Sequence, residues 1–144
     1  MCLPGIIIRI NPDQCNYNTL DSKGDLFSSA ANTNFLRWGV AEGTYLFAIA
    51  SGKNKEQGIL GVWRLTASPF KETMQAQACY HEPHRTTRRR YQTRFPARCR
   101  YHVRQPNLQA LLPQFSQQLK QTTPVLLWSM ADVNALLQIA QTHR

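Results

Sequence analysis

The chain has 144 residues, 42% hydrophobic and 17% charged, which is enough for one globular core and the wrong composition for a disordered tail. Lys plus Arg number 17 against 8 Asp plus Glu, and the formal charge of +9 points to an anionic partner. No stretch approaches the roughly 20 apolar residues that cross a bilayer, and Cys2, Cys15, Cys79 and Cys99 form no tight framework, so the expectation is one domain over 1–144, cytoplasmic, off the membrane, with free thiols.

The opening ten residues hold a short apolar run, preceded by Pro4 and Gly5 and interrupted by Arg9. They read as a buried strand, Gly5–Ile10, rather than an export signal. Asn11-Pro12 ends it, because Pro12 has no N–H to give a ladder. Residues 13–37 are polar and irregular, and a connection of that length in a compact domain is usually functional. Residues 44–50 (TYLFAIA) and 59–66 (ILGVWRLT) form a predicted hairpin with a polar tip beginning Ser51-Gly52. Ser68-Pro69-Phe70 closes this meander, and 71–95 reads as an increasingly basic loop. Residues 96–104 (PARCRYHVR) alternate as a half-exposed strand does. Asn107 can cap a short helix, LQALL, which Pro113 restarts as PQFSQQLK. Residues 125–128 form a short buried strand. Ser129 and Asp132 then make an S-x-x-D cap before VNALLQIAQ, whose Val133, Leu136, Leu137 and Ala140 share one face. Strands outnumber helices and follow one another directly, which predicts a mixed α+β domain with a curved sheet or small open barrel.

The segment 85–104 carries Arg85, Arg88, Arg89, Arg90, Arg94, Arg98, Arg100 and Arg104 and no acid, with Tyr91, Phe95 and Tyr101 interleaved. Guanidinium forks bind phosphate oxygens through paired hydrogen bonds, and aromatic faces stack on bases. The segment is therefore a predicted phosphate-binding strand, with a merely solvated basic face as the alternative. Tyr17, Phe27, Phe35, Trp38, Phe70 and Tyr80 lie near loops, beside polar groups such as Asn11, Asn16, Asn18, Ser22, Ser51 and Ser129. Flat walls with a few hydrogen-bonding groups are what a flipped base needs. Trp63 and Trp128, both in predicted strands, read as mainly structural. Cys79, His81 and His84, with Cys99 and His102, offer zinc-type ligands, but the spacing lacks a C-x-x-C pair and no metal or other cofactor is expected. No paired carboxylates, phosphate-cradling glycine loop or G-x-S-x-G elbow is present, and Cys2 has no convincing base, so a non-enzymatic role is expected.

Several runs carry a family likeness: Ile6 to Asn11 at the front, then Gly43-Thr44-Tyr45-Leu46-Phe47 followed by Ser51-Gly52. The central one is Ile59-Leu60-Gly61-Val62-Trp63-Arg64-Leu65-Thr66-Ala67-Ser68-Pro69-Phe70. Phe95-Pro96-Ala97-Arg98-Cys99-Arg100-Tyr101, the helix around 108–112 and Trp128-Ser129-Met130 complete it. Together they resemble the EVE domain, a PUA-like fold related to the YTH readers. The resemblance implies a PUA-like α+β domain, a curved sheet or small open β-barrel with flanking helices. It further implies a reader of modified, methylated DNA or RNA. Asn11, Tyr17, Phe27, Trp38 and Ser51 would line the base pocket, with Phe70 or Tyr80 as a lid, and a separate nuclease or modification enzyme could act beside it. One buried methyl contributes about 0.8 kcal/mol, so strong selectivity needs polar groups that lose partners with the wrong base. A general RNA-binding accessory protein and a small-molecule-binding PUA-like module are the competing readings.

Overall fold

Aliphatic side chains on both faces make β1 (Gly5–Ile10) a strand buried from two sides. Ile6 and Ile8 enter one core layer and Ile7 the other. In a computed structural model, which describes residues 2–10, 26–28, 34–50, 59–73, 91–102 and 124–143, the chain continues through nine further elements. These are β2 (Leu26–Ser28), the helical turn α1 (Asn34–Arg37), β3 (Tyr45–Ala50), β4 (Ile59–Leu65) and β5 (Phe70–Thr73). Then come β6 (Tyr91–Phe95), β7 (Ala97–His102), β8 (Val125–Leu127) and α2 (Met130–His143).

The large sheet has the order β7-β4-β3-β1-β8, and a small one the order β2-β6-β5. β1 runs parallel to β3, from Gly5 beside Tyr45 to Ile10 beside Ala50, while every other pair is antiparallel. A parallel pair cannot be joined by a tight turn, so the chain needs a long crossover between them. That crossover carries β2 and α1, where the sequence alone suggests only irregular chain. β5 and β6 likewise stand within 70–95, and Phe70 opens a strand rather than ending the meander. β5 and β6 are hard to read in the sequence because they are short and largely polar, and β5 has no fully buried side chain. In β6, Thr93 and Phe95 point inward while Arg94 lies at the half-exposed side. Pro96 then passes the chain from one sheet to the other. It offers no donor, and its carbonyl accepts from Thr66 N at 2.8 Å. The predicted helices over 107–120 lie outside the described residues.

Two core layers sandwich the large sheet. Leu46, Ala48, Trp63, Leu65 and Ala97 meet Phe35, Val40 and Phe95 on one side. Phe47, Val62 and Leu127 meet Val133, Leu136 and Ala140 of α2 on the other. Leu137 packs at the margin of this second layer, so the helix face read from the sequence is the one that covers the sheet. Fully burying each Leu or Val contributes roughly 1.5–3 kcal/mol, which is what holds α2 down. The helix begins three residues before the predicted VNALLQIAQ. Ser129 caps it: its Oγ accepts from Ala131 N at 3.2 Å, and its carbonyl takes Val133 N at 3.2 Å. Thr44, fully buried, ties the start of β1 to the turn before β3. Its hydroxyl donates to Leu3 O at 2.8 Å and accepts from Ala41 N at 3.1 Å. Among the described residues, neither Cys2, exposed, nor Cys99, half-buried, forms a disulfide.

Candidate nucleic-acid interface

Among the described strands, β7 stands at one edge of the large sheet, and alternation along it separates its side chains. Ala97 and Cys99 face the core layer of Trp63 and Phe95, and Arg98 points to the opposite, helix-covered side, where it is exposed. The register with β4 slips between Val62 and Trp63, so Val62 stands opposite Tyr101 and Trp63 opposite Cys99. Arg100 occupies the extra position of this bulge and is exposed as well. Neither arginine forms an ion pair with a described residue, because the carboxylate–guanidinium pair among those residues joins Glu72 to Arg94.

Arg94 stands on the small sheet rather than on β7. Its neighbours across the ladder are Phe27 on β2 and Phe70 on β5, so three predicted site residues share one row. Its Nε donates to Glu72 Oε1 at 2.7 Å, which neutralises the charge in place. Phe70 is 46% exposed in this row, and Phe27 is placed by its backbone alone.

Trp38 follows α1 and is half-buried. Its ring meets Phe35 edge-on at 5.5 Å, and Phe35 meets Phe95 edge-on at 5.0 Å. Phe95, expected among the stacking aromatics of the basic segment, is a core residue with no exposed surface. Trp38 therefore belongs to the layer on one side of the large sheet, while Arg98 projects from the other. Asn11, Tyr17, Ser51, Tyr80, Arg85, Arg88, Arg89 and Arg90 lie outside the described residues. So do Cys79, His81 and His84 of the zinc alternative. Among the described residues, no three His, Cys, Asp or Glu side chains gather, and no helix is long and apolar enough to cross a membrane.

Two features escape a reading of the sequence. Trp63 is buried as expected, but Trp128 is 68% exposed, because β8 stops at Leu127 and the chain turns into α2 before the indole can enter a core layer. Arg64, met above only as part of a motif, stands opposite Tyr45 on β3 and Arg98 on β7. Its guanidinium lies over the Tyr45 ring, 5.1 Å from the centroid. The hairpin formed by 44–50 and 59–66 contains this contact, but the bulges in both ladders of β4 obscure its register in the sequence.

The architecture is similar to the crystal structure of ASCH from Zymomonas mobilis, with 12% identity, a TM-score of 0.56 and 94% of each chain covered. ASCH domains have the PUA-like fold, so this chain has a PUA-like α+β fold. No family model and no curated protein matches the sequence.

Proposed function

We propose that this chain is a cytoplasmic, non-enzymatic module that binds nucleic acid through the arginines of β7 and reads a modified, methylated base held among aromatic side chains. Arg98 and Arg100 carry this reading: two exposed guanidiniums without described carboxylate partners, on the edge strand of a PUA-like domain of charge +9. Such groups bind phosphate oxygens bidentately. Trp38 and Phe70 supply the described part of the aromatic set, and the EVE-like motifs add Asn11, Tyr17, Phe27, Ser51 and Tyr80. A nuclease or modification enzyme acting beside the module belongs to the same reading.

A general RNA-binding role without a base pocket is the second reading. The separation of Trp38 and Arg98 onto opposite sides of the large sheet favours it, since a base at Trp38 and a phosphate at Arg98 require a strand that bends around β7. Titrating methylated and unmethylated oligonucleotides of one sequence against the wild type and Trp38→Ala separates the two. The reader prefers the methylated oligonucleotide and loses that preference in the variant. Equal affinity for both oligonucleotides, untouched by Trp38→Ala, leaves the general binder. Weak, salt-insensitive binding to both contradicts either role.

A further inference from the structure

On the helix-covered face of the large sheet, Tyr45, Arg64 and Arg98 form one row across three adjacent strands. Directly opposite side chains stand about 4.5–5.5 Å apart at Cβ, and like charges placed so repel each other. Here the two opposed residues are both arginines, both exposed, and no ion pair joins either to a described carboxylate. One of the two is also held in position. The Arg64 guanidinium rests on the Tyr45 ring, and its Nε donates to Gly43 O at 3.4 Å. The backbone that supplies this carbonyl turns at Gly43, whose φ of +92° suits glycine. A guanidinium lying on an aromatic face uses its π surface there and keeps in-plane N–H donors for a second partner.

We propose that Arg64 and Arg98 close as a two-pronged clamp on a single backbone phosphate, with Tyr45 as the platform that fixes the fork of Arg64. The clamp rests on the nucleic-acid reading above and extends it to a residue and a strand outside the arginine segment. One shared anion converts the repulsion across the β4–β7 ladder into two charge-assisted contacts. Because a phosphate carries no sequence information, the clamp positions the strand and does not select bases.

The test is the salt dependence of binding of a labelled single-stranded RNA oligonucleotide to the wild type, Arg64→Gln, Arg64→Lys, Arg98→Gln and the Arg64→Gln/Arg98→Gln double variant. Thermal melts of each variant confirm folding. Each Gln variant is expected to bind about tenfold more weakly, and the double variant, in which neither prong neutralises the phosphate, to lower the salt slope by about 0.7–0.9. The double variant is expected to lose clearly less than the product of the two single losses, since both prongs hold one phosphate. Arg64→Lys, which keeps the charge without the fork, is expected to recover only part of the affinity lost in Arg64→Gln. Wild-type affinity in Arg64→Gln overturns the clamp while leaving the nucleic-acid reading intact. Fully multiplicative losses in the double variant also overturn it, because they assign the arginines to separate phosphates. Displacement of the RNA by millimolar inorganic phosphate at constant ionic strength overturns it too, in favour of a free-anion site. Failure of the wild type itself to bind RNA or DNA at low salt removes the functional reading, and the clamp with it.

Discussion

Val133 of α2 occupies the space that a side chain on Gly5 would need: a Cβ built there meets Val133 Cγ2 at 2.8 Å and Leu127 Cδ1 at 3.2 Å. Gly5 thus sets how closely α2 approaches the sheet, where β1 and β8 lie side by side. Gly5→Ala is expected to destabilise the domain by about 1–3 kcal/mol through overpacking. Adding Val133→Ala is expected to recover part of that loss, which a thermal melt of the three variants measures. A fully additive loss would show that the approach of α2 is not limited at this contact.

Thr44 holds its position by polar contacts in a dry site. Thr44→Val keeps the shape but leaves Leu3 O and Ala41 N without their hydroxyl partner. A loss of about 1–3 kcal/mol in denaturant unfolding is expected, the magnitude for stranding buried polar groups. Thr44→Ser is expected to retain most of the stability.

Arg94 and Arg98, four residues apart, are expected to behave differently on substitution. Arg94→Gln removes one member of the half-buried pair with Glu72 and is expected to lower stability, by about 0.5–1 kcal/mol for a partly exposed ion pair. Arg98→Gln is expected to leave stability within about 0.5 kcal/mol of the wild type, as surface substitutions usually do. Its effect is expected in nucleic-acid affinity instead. Glu72→Gln, which releases the charge of Arg94, is expected to steepen the salt dependence of binding. Urea unfolding and anisotropy titrations on the same preparations check all three.

The indoles of Trp63 and Trp128 differ sharply in access, one buried and the other 68% exposed. Iodide quenching is expected to reach Trp128 readily, and Trp128→Phe to remove most of the quenchable emission. Trp128→Ala is expected to change the melting temperature little, whereas Trp63→Ala is expected to cost about 3–5 kcal/mol.

The large sheet was legible because its strands are strongly apolar: GIIIRI, YLFAIA and ILGVWRL cannot avoid a core. The face of α2 was legible for the same reason, through Val133, Leu136 and Ala140. The small sheet was not, because FKET and YQTRF carry polar residues on their outer side and pair only through contacts distant in the chain. The same distance hides the fate of Arg94. Its basic neighbourhood marks it as a phosphate ligand, yet Glu72, 22 residues away, takes the guanidinium. Exposure of Arg98 followed from simple alternation, but its facing partner Arg64 depends on a ladder register that bulges shift. Trp128 misled because a bulky apolar residue after VLL looks like more strand, and only the early start of α2 turns it outward.

Comparing wild type with the Arg98→Gln/Arg100→Gln double variant, in titrations with a single-stranded oligonucleotide at about 50 and 200 mM salt, tests the central claim most directly. The expected result is wild-type binding that weakens steeply with salt, and a variant that is folded, binds more weakly at low salt and shows a shallower slope. Identical isotherms for the two proteins at both salt concentrations would contradict a nucleic-acid interface on β7.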